Sequence, residues 1–174
     1  QRQMLMKALD MTHPNFDLGK FERCLLSVED VKSLNQIAIT YSETGERRFA
    51  IRIYEQLLRY TKRRLFNNEA LFSVLPMLCY NYSRLLGRER RYEECIEIAQ
   101  YGYDLSLKYD KARALGGLLL NIGCSLQKLG KDEEAKKKLM ESYYAFVTVK
   151  KFNSAQKVKD YMKEVFEIEF KGDI

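Results

Sequence analysis

Four cysteines, one histidine and a recurring asparagine are the residues of this chain with chemistry to offer. The cysteines are Cys24, Cys79, Cys95 and Cys124, and no two stand in a C-x-x-C pair. A structural zinc site draws its four ligands from closely spaced Cys and His pairs, and this spacing does not supply them. The single His13 lies in Thr12-His13-Pro14-Asn15, before a proline in an expected loop, with nothing like a triad beside it. No glycine-rich phosphate loop, H-E-x-x-H or EF-hand pattern occurs. The chain is therefore not expected to be an enzyme, and no metal or cofactor is expected. Each cysteine falls where a small apolar residue would serve, which suits free thiols in a reducing cytoplasm. Cys79, Cys95 and Cys124 are expected to be buried. Cys79 and Cys95 are expected near each other in one helix pair, without a disulfide.

The asparagines read differently. Asn35, Asn81 and Asn121 recur two or three residues before a small residue, Asn35 being one step out of phase. An amide offers a donor and an acceptor, which the unpaired main chain of an extended peptide needs. The position suits equally an Asn bonded to a neighbouring helix or loop. Neighbours on the same helix surfaces are Lys32, Ile39 and Ser42, then Met77, Tyr80, Arg84 and Arg88, then Gly117, Leu120, Cys124, Gln127 and Lys128. Cations at Arg84, Arg88 and Lys128 over an apolar floor would suit a peptide with an acidic residue or a free carboxylate. The alternative is a solvated basic face. The candidate ligand-binding set is Asn35, Tyr80, Asn81, Arg84, Arg88, Asn121, Cys124 and Lys128.

The elements that must position these residues are helical. Val31, Leu34, Ile37, Ala38 and Tyr41 recur at three- and four-residue steps, as do Leu115, Leu118, Leu119, Ile122, Leu126 and Leu129. Ser27 with Asp30 three residues on resembles a capping box, and Gly45, Gly87 and Gly130 follow apolar runs as helix-ending glycines do. The pattern predicts helices at 2–12, 17–25, 28–44, 46–65, 69–87, 91–108, 111–129, 131–149 and 151–170, with Pro76 either kinking the fifth or sitting in its first turn. At 174 residues, 46% hydrophobic with 2 Pro and 9 Gly, this is one domain of ordinary size, too apolar for disorder and too poor in turn residues for most all-β folds. No apolar run approaches a membrane span, and no signal peptide is visible.

The helices repeat. Leu34…Ile37-Ala38…Tyr41…Gly45…Ala50, Cys79…Tyr82-Ser83…Leu86…Arg90…Cys95 and Leu119…Ile122-Gly123…Leu126…Gly130…Ala135 share their offsets. Ala38, Ser83 and Gly123 are small where a first helix faces its partner; Ala50, Cys95 and Ala135 are small where the second faces back. Close helix approach needs such residues. The repeats span about 28–65, 69–108 and 111–149, flanked by helices within 2–25 and 151–170, in a single domain over 1–174. This pattern resembles the tetratricopeptide repeat, most closely in Gly45-Glu46-Arg47-Arg48-Phe49-Ala50 and Gly130-Lys131-Asp132-Glu133-Glu134-Ala135. The resemblance implies an all-α, tetratricopeptide-like helical-repeat superhelix, an α-α solenoid that binds extended peptides in its concave groove.

A narrower resemblance spans nearly the whole chain. Ala8-Leu9, Pro14-Asn15-Phe16-Asp17, Leu34-Asn35-Gln36-Ile37-Ala38, Tyr80-Asn81-Tyr82-Ser83-Arg84-Leu85-Leu86-Gly87 and Lys159-Asp160-Tyr161-Met162 resemble the C-terminal sensor half of Gram-positive Cro/CI-type helix-turn-helix regulators, relatives of the peptide-pheromone-responsive regulators. It implies an effector-binding and self-association domain of a cytoplasmic bacterial transcription regulator. A short peptide or protein segment would be its ligand. DNA would be met only through an N-terminal domain that this chain, beginning at Gln1, lacks. The alternative is a constitutive protein–protein interaction scaffold with no small effector. A homodimer is expected, with Val158, Tyr161, Met162, Val165 and Phe166 as an uncovered apolar face, unless that face folds back on helix 131–149. The net charge, 30 basic against 24 acidic residues, is +6 and reads as spread along the chain. Arg63-Arg64, Arg88 to Arg91, Lys136 to Lys138 and Lys150-Lys151 form no single stripe in this reading, so direct DNA contact is not expected; nor is a membrane.

Overall fold

The computed structural model describes residues 2–64 and 69–168. Among them eight α-helices succeed one another: α1 (Arg2–Thr12), α2 (Val28–Glu43), α3 (Arg47–Arg64), α4 (Leu75–Arg88), α5 (Tyr92–Lys108), α6 (Leu115–Lys128), α7 (Asp132–Thr148) and α8 (Phe152–Phe166). Residue 65 of the expected helix 46–65, and residues 169–170 of the expected helix 151–170, lie outside the described residues.

Three expected helices change form. Segment 17–25 holds only a 3-10 turn, Phe21–Arg23. The Asp17 carboxylate accepts the Gly19 N–H at 2.7 Å, so the chain turns there instead of starting a helix. Helix 69–87 splits into a 3-10 turn, Glu69–Ser73, and α4, whose first turn holds Pro76. There its missing N–H has no bond to make. Segment 111–129 likewise begins with a 3-10 turn, Ala112–Ala114.

Local signals set the ends. The Ser27 Oγ accepts the Asp30 N–H at 3.1 Å, and Asp30 Oδ2 accepts the Ser27 N–H at 2.8 Å, a reciprocal cap for α2. Gly45 and Gly130 turn with φ +91° and +76°, and Arg90 adopts φ +60° at the matching point after α4. Gly87 is not a helix-ending glycine; it lies inside α4, where its missing side chain makes room for Cys95 Sγ, 3.6 Å from the Cβ it would carry.

Helices α2/α3, α4/α5 and α6/α7 form three antiparallel pairs, with α8 packed on α7 and α1 on α2. Ala38, Ser83, Ala50, Cys95 and Ala135 are buried at the contacts within pairs. A Cβ at Gly123 would stand 2.7 Å from Leu139 Cγ. Gly102 of α5 is tight on two sides: its Cβ would be 2.5 Å from Cys79 Cβ of α4, within the pair, and 3.0 Å from Leu118 of α6, in the next pair. The antiparallel register thus sets Cys79 opposite Gly102 and Cys95 opposite Gly87, at opposite ends of the pair. The expected closeness of Cys79 and Cys95 is not seen. Both are buried and free, whereas Cys124, expected buried, is partly exposed.

The last helix also departs from expectation. Val158 and Met162 are fully buried with Leu139, Tyr143 and Phe146 of α7, and Tyr161 and Phe166 pack at the edge of that cluster. The apolar face folds back on α7 and is not left open for a partner. No helix among the described residues is long and apolar enough to cross a membrane.

Candidate functional site

The first helices of the pairs line one side of the array, α4 touching both α2 and α6. Three hollows follow that line. The upper one, about 310 Å³, holds Lys32, Asn35 and Met77, with Lys111 and Arg113 on its rim. The middle one, about 110 Å³, has Tyr80, Gly117, Phe146 and Lys151 in its walls. The lower one, about 220 Å³, gathers Arg84, Arg88, Asn121, Cys124 and Lys128, with Tyr92 and Cys95 contributed by α5. Five of the eight candidate residues therefore meet in the lower hollow. Asn35 and Tyr80 lie in the upper and middle hollows. Lys111, Arg113 and Lys151 are additions that helical spacing does not reveal, because they stand in turns before α6 and α8.

The asparagines knit the first helices together. Asn81 Nδ2 donates to Asn35 Oδ1 at 3.3 Å. Asn121 Nδ2 donates to the Tyr80 carbonyl at 3.1 Å and to Ser83 Oγ at 2.8 Å. Asn121 therefore uses both amide hydrogens on α4, leaving its oxygen. Asn81 spends one hydrogen and keeps a donor and an acceptor. The Tyr80 ring lies over Gly117, where any side chain would overlap it.

Among the described residues, neither Arg84, Arg88 nor Lys128 takes part in an ion pair. Arg88 and Lys128 are the last residues of α4 and α6. Free carbonyls at a helix end attract cations, which accounts for both without a ligand. Arg84 lies one turn further in. Its guanidinium stands 5.6 Å from the Tyr80 ring centroid. Its charge also reaches Tyr54, a buried residue of α3 whose hydroxyl is pushed up in pKa by burial. That hydroxyl is the one buried side-chain polar atom without a hydrogen-bond partner among the described residues.

Burial sets the state of three of the thiols. Burial pushes Cys79 up to about 12 and Cys124 up to about 11, the latter beside the Tyr161 hydroxyl. Cys95 is raised by burial too, and its Sγ lies 3.7 Å from the Asn121 carbonyl. All three stay protonated near neutrality, the wrong state for a nucleophile. No group of three or more metal-ligating side chains occurs among the described residues.

A family model described as the RNPP family C-terminal domain matches residues 20–166. No curated relative matches. Two solved structures of PlcR from Bacillus thuringiensis share the architecture. One, a crystal structure in complex with the peptide PapR7 and DNA, is 21% identical with a TM-score of 0.68, over 96% of this chain and 53% of that one. The other, the apo form, is 20% identical with a TM-score of 0.66, over 90% of this chain and 62% of that one. This chain thus spans less than two thirds of the length of the solved chains it matches. With three antiparallel helix pairs, a hollowed line of first helices and a family match over most of its length, the chain belongs to the RNPP family as a C-terminal domain.

Proposed function

We propose that this chain is the effector-sensing and self-association domain of a cytoplasmic bacterial transcription regulator, a binding module and not a catalyst, and that its effector is a short peptide lying along the first helices. The observation that carries this reading is the lower hollow. Arg84, which no helix end accounts for and which has no ion pair among the described residues, stands there beside Arg88 and Lys128. One helical turn away Asn81 keeps both a donor and an acceptor. Asn81 would hold the peptide main chain, and Arg84 its carboxylate. Family membership supports the reading, as does the peptide PapR7 held in the PlcR complex.

The effector would act by favouring one curvature of the array, since a ligand shifts a conformational equilibrium only through its differential affinity. The change would pass through a dimer to DNA-binding heads carried by a longer protein. With α8 covered, the exposed Met4 and Met11, seven residues apart on one face of α1, are apolar side chains available for self-association. Sedimentation at micromolar concentration tests this: a monomer at all concentrations removes the dimer.

A constitutive scaffold is the competing reading. Calorimetry separates the two, using heptapeptides from a screened library, each with a free and an amidated C-terminus. An effector site binds a free-acid peptide roughly tenfold or more better than its amide, as loss of one charge-assisted bond implies. Failure of every short peptide to bind favours the scaffold.

A further inference from the structure

We propose that the outer face of α3 binds the phosphate backbone of duplex DNA, independently of sequence. The charge of this chain is not spread. Helix α3 carries seven basic residues against one acidic, a net +6 equal to the formal net charge of the whole chain. Every exposed residue of α3 is an arginine or lysine. Arg48, Arg52, Arg59 and Arg63 follow at steps of four, seven and four, which keeps them on one helix face. At 1.5 Å per residue they form a straight stripe about 22 Å long.

This stripe is not neutralised from within. Arg59 and Arg63 share the single carboxylate of Glu22, at 2.7 and 3.6 Å. Arg48 and Arg52 enter no ion pair among the described residues. Like charges four residues apart on a helix repel, so this arrangement works against the fold unless a partner answers it. A cleft of about 760 Å³ along its flank adds Lys20 and Arg23, with Glu22 and Glu55 as the acids in its lining.

The chemistry selects the partner. A protein interface needs buried apolar or aromatic anchors at its centre, and the exposed face of α3 has none. A lipid surface is held by apolar insertion together with charge, and the apolar face of α3 is already in the core. A duplex offers one negative charge per roughly 1.7 Å of axis, and arginine forks match phosphate oxygens. The start of α1 lies at the head of the stripe, where Arg2 Nη1 meets Glu46 at 3.1 Å. A DNA-binding segment joined before α1 would leave the molecule there. The presence of DNA rests on the regulator reading; the groove and its peptide do not enter, so failure here leaves that reading standing.

The test is fluorescence anisotropy of a labelled 20-base-pair duplex of arbitrary sequence with this chain, from 50 to 200 mM salt. Four phosphate contacts give a slope of log K against log salt of about −3.6, hence about a hundredfold weakening over that range. R48A/R52A should lower the slope by about two and weaken binding about tenfold or more at 50 mM. R48K/R52K, which keeps the charge, should retain the slope. K137A/K157A, on exposed positions of α7 and α8, should bind as the parent does. Circular dichroism confirms that each variant folds. No salt-dependent binding at 50 mM, equal binding by R48A/R52A, or tighter binding to phosphatidylserine vesicles than to the duplex each overturns the proposal.

Discussion

The groove and the outer face of α3 both gather more cations than the acids beside them neutralise, yet they are built in opposite ways. In the groove, three cations converge on a hollow of about 220 Å³ whose walls also carry one amide, three hydroxyls and two protonated thiols. On α3 the cations stand in a row, with no exposed apolar or neutral polar residue between them. Converging charge in a hollow with directional partners selects one small group in one orientation. A straight row selects a repeating charge and ignores its identity. Shape and neighbours, more than charge number, decide what a basic surface binds.

The groove is most vulnerable at Gly102, where α4, α5 and α6 meet. Gly102→Ala should cost about 1–3 kcal/mol in urea unfolding, even after the roughly 1 kcal/mol gained in helix propensity. The reason is that Cys79 Cβ, 2.5 Å from the new atom, is fixed to its backbone. The helices must part, so groove binding should weaken while α3 is unaffected. Retained stability would mean that the first helices are not held by this contact.

Asp30 tests the support under the other end. Burial alone would raise its pKa, but bonds from the Ser27 N–H and hydroxyl and the neighbouring His13 hold it below the usual aspartate value. Its His13 contact is 3.1 Å. A depressed carboxyl contributes stability that is full above the unfolded aspartate pKa and lost as pH falls through the folded value. Asp30→Ala should cost about 1–2 kcal/mol at neutral pH and flatten the acid limb of the stability curve. An unchanged acid limb would contradict this.

At the lower end of the groove, Arg90 holds φ +60° where its counterparts are glycine. Arg90→Gly should raise stability by about 1 kcal/mol, the strain of a left-handed residue, read as a higher Tm. Tyr54→Phe should be the smallest effect. A buried tyrosine normally loses about 1 kcal/mol with its hydroxyl; this one makes no such bond, so its stability should change by less than about 0.5 kcal/mol. A larger loss would mean that the hydroxyl is satisfied in solution.

Much of the fold is legible in the sequence because its signals are short-range. The Ser27–Asp30 cap, the turn glycines 45 and 130, and the small residues at 38, 50, 83, 95, 123 and 135 each act within a turn or one helix pair. The fate of α8 is not legible, since an apolar face reads the same whether covered by α7 or by a second chain. Nor is the use of Asn121, whose hydrogens go to atoms 38 and 41 residues away in sequence. The α3 stripe is a different case. Its signal is periodic and present in the sequence, but a search for contiguous basic runs misses it, because Arg52 and Arg59 stand apart from the runs Arg47-Arg48 and Lys62-Arg63-Arg64.

In the proposed groove, Arg84 is the residue that would receive the peptide's carboxylate. A double-mutant cycle measures this role: parent and Arg84→Ala, each titrated with the tightest screened peptide as free acid and as amide. Arg84→Ala should weaken the free acid by about 10- to 100-fold, as loss of a charge-assisted bond implies. It should scarcely change the amide, and stability should hold within about 0.5 kcal/mol, because Arg84 makes no ion pair among the described residues. Equal losses for acid and amide, or an unfolded Arg84→Ala, would contradict it.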